Sequence, residues 1–174
     1  DGTTKFLHGL PHWAVSIAVE HKGEIVSGVV FDAAKDEMYW AEKGAGAWMN
    51  ERRLRVSSRG NLPDSVIATG IPFAGRGDSA EWTRIYGALA PQVAGIRRFG
   101  SAALDLAWVA AGRYEGFWES DLSPWDSAAG CLLVREAGGF VTDWRGISQA
   151  ICDKQVLAGN DALHSRLHKI LANT

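Results

Sequence analysis

Two segments of this chain carry residue types suited to metal-dependent phosphate chemistry: Asp1-Gly2-Thr3-Thr4 and, far downstream, Pro124-Trp125-Asp126-Ser127-Ala128-Ala129-Gly130. In the first, a carboxylate stands directly before Gly-Thr-Thr. A tight turn there can feed a helix and leave backbone N–H groups pointing outward, a phosphate seat with a metal ligand beside it. In the second, Asp126 precedes small residues and then Leu132-Leu133-Val134, which read as a buried helix from residue 127 whose first-turn carboxylate can reach the same ion. Magnesium suits such a pair, since it takes one or two carboxylates and completes its shell with water and substrate phosphate. Singly, each residue has a plainer reading. Asp126 is then a helix N-cap worth about 1 kcal/mol, and Asp1 a frayed terminus.

Further motifs accompany these two in order: Phe6-Leu7-His8-Gly9 with Pro11-His12, Glu42-Lys43-Gly44-Ala45-Gly46-Ala47-Trp48, Gly100-Ser101-Ala102-Ala103 and Glu136-Ala137-Gly138-Gly139. With them the chain resembles the inositol monophosphatase family from residue 1 to about residue 169. The resemblance implies a magnesium-dependent phosphomonoesterase acting on inositol monophosphate, lithium-sensitive, cytoplasmic and homodimeric. Asp1 and Asp126 would be metal ligands. The backbone N–H groups of Gly2 and Thr3 would hold phosphate oxygens, and the Thr3 hydroxyl would orient the attacking water. Glu119 falls seven residues before Asp126, where the family uses a Glu to accept hydrogen bonds from ring hydroxyls; apart from the resemblance it reads as an exposed strand-end acid. Ser101 and Ala102 fall in a turn whose backbone faces the polyol.

The family pattern places Trp-x-x-Asp-Pro-(Ile/Leu) before Asp-Gly-Thr-Thr, so the chain is expected to start at the second Asp of a longer motif. A Glu-Glu metal-binding segment and a further Asp would precede it, and Lys5 stands where the family commonly has Asn. The 174 residues are therefore expected to hold part of a metal shell and to be inactive alone. Two alternatives stand beside this reading. One is a related phosphatase for histidinol phosphate or a nucleotide 3′-phosphate; the other is a non-catalytic accessory of a transcription complex.

Composition bounds the rest. A 47% hydrophobic content without an apolar run approaching the length of a transmembrane helix predicts a soluble globular protein. A net charge of −2 with scattered Lys and Arg argues against direct nucleic-acid binding. Arg52, Arg53, Arg55 and Arg59, the densest basic stretch, read as a solvated loop. Cys131 and Cys152 fit neither a disulfide framework nor a CxxC site; both read as reduced, with Cys131 in the core. The run from Gly70 to Arg76 mimics Walker-A spacing but lacks its Lys-Ser/Thr. His164 and His168, four apart, read as a solvated helix face. Of eight Trp residues, six read as core, while Trp118 and Trp125 each neighbour a candidate site residue.

These residues need a scaffold. Alternating β-rich runs at 13–20 and 24–32, a hairpin signal at His21-Lys22-Gly23, and a continuation at 37–41 predict an antiparallel sheet lacking at least one neighbour. A linker near 56–64 separates this part, residues 1–57, from a second at 58–174. There, strands at 66–69, 95–99, 116–118, 140–142 and 155–157 alternate with helices at 79–89, 102–111, 127–136 and 162–171. The fold class is α/β, an α+β remnant followed by α/β layers with its ligand site at strand ends. The resemblance adds the inositol monophosphatase-like sugar-phosphatase fold, lacking its N-terminal portion.

Overall fold

In the computed structural model, residues 1–73, 75, 77–148 and 154–174 are described. The reading of Cys152, and part of the Walker-like run, lie outside them. The first half is an antiparallel meander of β1 (Val15–His21), β2 (Glu24–Asp32), β3 (Glu37–Glu42), β4 (Gly46–Met49) and β5 (Arg52–Arg53), paired in chain order. Val15-Ser-Ile-Ala-Val19 alternates in side-chain type, and Lys22 and Gly23 take positive φ angles at the β1–β2 hairpin, as a two-residue turn requires. Strands β4 and β5 go beyond the sequence reading. Arg52 and Arg53 are exposed edge-strand residues instead of loop, a correction that a two-residue strand leaves too little periodicity to foresee.

The second sheet has the order β7-β6-β8-β10-β9, from β6 (Val66–Thr69), β7 (Gly95–Arg97), β8 (Gly116–Leu122), β9 (Phe140–Thr142) and β10 (Lys154–Gly159). Strand β6 runs parallel to both β7 and β8, and β10 runs antiparallel to β8 and β9. Among the described residues, four further α-helices follow α1 (Thr3–Leu7): α2 (Ser79–Leu89), α3 (Ala102–Ala110), α4 (Pro124–Glu136) and α5 (Asp161–Ala172).

Helices α3 and α4 lie between the sheets. Residues 127–134 of α4 are all buried, as expected of a helix enclosed on every side. The small residues of that helix make this possible: a Cβ on Gly130 would lie 2.6 Å from Leu106 Cβ, and one on Gly28 of β2 would lie 3.0 Å from Ala129 Cα. One hydrophobic cluster therefore runs from Val30 and Tyr39 through Leu106 and Leu133 to Phe117 and Val156, crossing residue 57 without a break. A second cluster, with Ile67, Trp118, Leu157, Ile85 and Leu163, joins the opposite sheet face to α2 and α5. Successive side chains of a strand face opposite ways, so Phe117 and Trp118 serve different cores. Trp118 is fully buried and is corrected from site neighbour to core.

The helix ends settle other points. Helix α4 begins three residues before the expected start, with Pro124 in its first turn, where a missing N–H goes unneeded. His164 is buried with its Nε2 3.0 Å from Thr142 Oγ1, and His168 is half-buried, so neither belongs to a solvated face. Cys131 is buried in the core, as expected. Among the described residues no helix is long and apolar enough to cross a membrane.

Candidate active site

Asp1 is not frayed. Its backbone N donates to Ala14 O at 2.8 Å, and Ala14 N donates to Asp1 O at 3.0 Å. Its carboxylate is held as firmly: Oδ2 accepts from Ser101 Oγ at 2.7 Å and from Ala103 N at 3.0 Å. Residue 1 is thereby fixed to the N-terminus of α3, where a negative charge is favourable. Gly2, at φ 89°, turns the chain into α1. A Cβ there would meet Trp13 Cα at 2.9 Å as well as adopting an unfavourable backbone, so glycine is needed twice over. Lys5 and Phe6 donate their N–H groups back to Gly2 O, while those of Gly2 and Thr3 have no intrachain acceptor among the described residues.

Asp126 comes from the start of α4. It is the third residue of the helix, not its cap, and its Oδ2 accepts from Ser123 N at 3.2 Å, the reaching-back half of a capping box. Asp1 and Asp126 line one cleft of about 730 Å³, together with Gly2, Thr3, Ala102 and Glu119. Six of the seven residues selected from the sequence thus converge. Ser101 is the exception. It is fully buried, and its side chain positions Asp1 instead of facing the cleft.

Glu119 lies within β8, half-buried rather than exposed as its bare sequence context suggests. Burial, seconded by the charge of Asp126, pushes its carboxyl up to about 7, with Arg98 and Lys5 pulling the other way. Lys5 and Arg98 also line the cleft, and Lys5 Nζ donates to Gly100 O. Burial, with Arg98 nearby, lowers the Lys5 pKa. Behind them Asp105 is buried, with neither carboxylate oxygen hydrogen-bonded, and its pKa is raised by burial and by Glu119. Sequence reading missed Arg98 and Asp105. The signal for Asp105 was a single carboxylate inside the apolar run Ala102-Ala-Leu-Asp-Leu-Ala-Trp-Val-Ala110.

Asp1 and Asp126 fit a magnesium ion in donor chemistry. Each carboxylate spends Oδ2 on backbone or hydroxyl donors and leaves Oδ1 without a hydrogen bond among the described residues. No group of three or more His, Cys, Asp or Glu converges among the described residues. A magnesium ion held by these two carboxylates would therefore have to take the rest of its shell from water and phosphate.

The family model described as "Inositol monophosphatase family" matches residues 1–174. The chain belongs to the inositol monophosphatase family. Among family members it is 52% identical to the inositol-1-monophosphatase of Rhizobium meliloti (strain 1021), covering 98% of this chain and 64% of that protein. It is 49% identical to the Nus factor SuhB of Pseudomonas aeruginosa over 92% of this chain and 60% of that protein. The crystal structure of extragenic suppressor protein suhB from Bartonella henselae superposes with a TM-score of 0.94 at 51% identity, covering 98% of this chain and 66% of that one. The chain therefore spans somewhat under two thirds of the length of these relatives.

Proposed function

We propose that this chain carries part of the active site of a phosphomonoesterase that hydrolyses inositol monophosphate to inositol and phosphate. The observation that carries the reading is the convergence of Asp1, Gly2, Thr3, Glu119 and Asp126 on one cleft in a chain of this family. Asp1 and Asp126 would hold magnesium through their carboxylates. Bound there, the ion would neutralise phosphate charge and make water a better nucleophile. The N–H groups of Gly2 and Thr3 face the phosphate oxygens, and the Thr3 hydroxyl orients the attacking water. That water adds to phosphorus and gives up a proton to solvent as the bond to the inositol oxygen breaks, and the departing oxygen takes up a proton from solvent. Positioning and charge neutralisation then supply the catalysis, as is general in phosphoryl transfer. Ser101 acts through Asp1, whose carboxylate it orients. Glu119 accepts hydrogen bonds from hydroxyls of the polyol, and the Ala102 backbone lines the same wall.

Two carboxylates bind magnesium weakly, because charge count and rigidity set affinity in such sites. We therefore expect the 174 residues alone to be inactive and a chain as long as the relatives to be active. Phosphate release from inositol 1-phosphate by a protein of that length, with and without magnesium, tests the reading; no magnesium-dependent release would refute it. A second role is favoured by the 49% identity to a protein named Nus factor SuhB. Such a role would need the protein's surface and not its cleft, so association with transcription complexes should survive Asp126→Asn while phosphate release does not.

A further inference from the structure

The end of β6 has a feature that the proposed chemistry does not use. Thr69 pairs with Trp118 as the last register position between parallel strands β6 and β8, so the next residues along, Gly70 and Glu119, are neighbours across the sheet at the cleft. Both line it. A Cβ built on Gly70 would overlap the Glu119 carboxylate, colliding with Oε1, Oε2 and Cδ. Gly70 is not among the residues with positive φ, so backbone conformation does not require glycine here. Space does. The colliding atoms are the far end of a flexible side chain, which can swing aside with little effect on folding. The same freedom means that the carboxylate will not stay where it is.

We propose that Gly70 is a specificity-determining position: its missing side chain leaves the space in which the Glu119 carboxylate is held at the cleft wall. The inference rests on the reading of Glu119 as the group that accepts hydrogen bonds from substrate hydroxyls. Gly70 is thus a positioning residue, acting through Glu119 and touching no reacting atom. Neither a hydrogen bond nor an ion pair ties the Glu119 carboxylate among the described residues, so the shape of the β6–β8 wall is what places it.

The test is a double-mutant cycle in a protein as long as the relatives, comparing Gly70→Ala, Glu119→Ala and the double variant on inositol 1-phosphate and on a simple alkyl phosphate. Gly70→Ala should lower kcat/KM for inositol 1-phosphate by about 10- to 100-fold, the range expected for a lost hydrogen bond to a charged group, and should lower it less for the alkyl ester. Adding Gly70→Ala to Glu119→Ala should lower it no further. Gly70→Ala/Glu119→Asp, whose shorter carboxylate clears the new methyl group, should recover part of the loss. A crystal structure of Gly70→Ala should show the Glu119 carboxylate moved out of its place beside β6. Additive losses in the cycle, or an unmoved carboxylate, would overturn the proposal. If the unsubstituted protein releases no phosphate from inositol 1-phosphate, the functional reading fails on its own, and the crystal structure still decides the claim about Gly70.

Discussion

At the scale of single residues, the site is two carboxylates, each doing a structural task with one oxygen and leaving the other without a hydrogen bond among the described residues. Asp126→Asn separates those tasks. The amide oxygen can still accept from Ser123 N, so stability should change by less than about 1 kcal/mol, while magnesium-dependent phosphate release should fall by at least about 100-fold. Thermal unfolding and phosphate assays on the two proteins check both halves. Ser101→Ala removes the hydroxyl that donates to Asp1 and caps α3. We expect a loss of about 1 kcal/mol and a 10- to 100-fold fall in activity, with Ser101→Thr recovering part of each. That Asp1, Gly2, Thr3 and Asp126 meet at one cleft was legible only through the family resemblance that their motifs carry. The buried position of Ser101 was not, because nothing in Gly100-Ser101-Ala102 tells whether the side chain or the backbone faces the cleft.

At the scale of elements, helix α3 presents Asp1 with its N-terminal donors and buries Asp105 one turn later. An acid whose pKa is raised in the folded state keeps its proton when the unfolded chain has lost it. Between the ordinary carboxylate range and the raised value, therefore, stability falls as pH rises. Asp105→Asn removes this dependence. Its gain in stability should be smallest below about pH 4 and grow by up to about 1.4 kcal/mol per pH unit above it; denaturant unfolding between pH 4 and 8 would show it. A gain independent of pH would mean that Asp105 is ionised in the folded protein. The helices and most strands were readable from periodicity and turn residues. The start of α4 was placed three residues late because the buried run of small and apolar residues begins at Ser127, while Pro124 is itself a favoured first-turn residue. The two His residues on α5 were misjudged because their four-residue spacing describes one helix face without saying what covers it. Thr142 and Phe140 cover His164.

At the scale of the whole molecule, two sheets and the helices between them form one continuous core, and the cleft lies where residue 1, the ends of β6 and β8, and the starts of α3 and α4 meet. Strand β1 lies at the edge of its sheet with Val15, Ile17 and Val19 exposed. Unpaired edges and apolar faces promote association, so the 174 residues alone should self-associate in sedimentation experiments, whereas a monodisperse monomer would show that this face is tolerated in water. The antiparallel meander was legible from alternation. The way α4 locks into it was not, since the contact of Gly28 with Ala129 joins residues about a hundred positions apart. The central claim, that Asp1 and Asp126 act together in magnesium-dependent phosphate release, has one direct test: kcat/KM on inositol 1-phosphate for Asp1→Asn, Asp126→Asn and the double variant in a protein as long as the relatives. Parts of one ion site fail together, so the double variant should be little worse than either single one. Independent, multiplicative losses, or full activity in either single variant, would contradict the account.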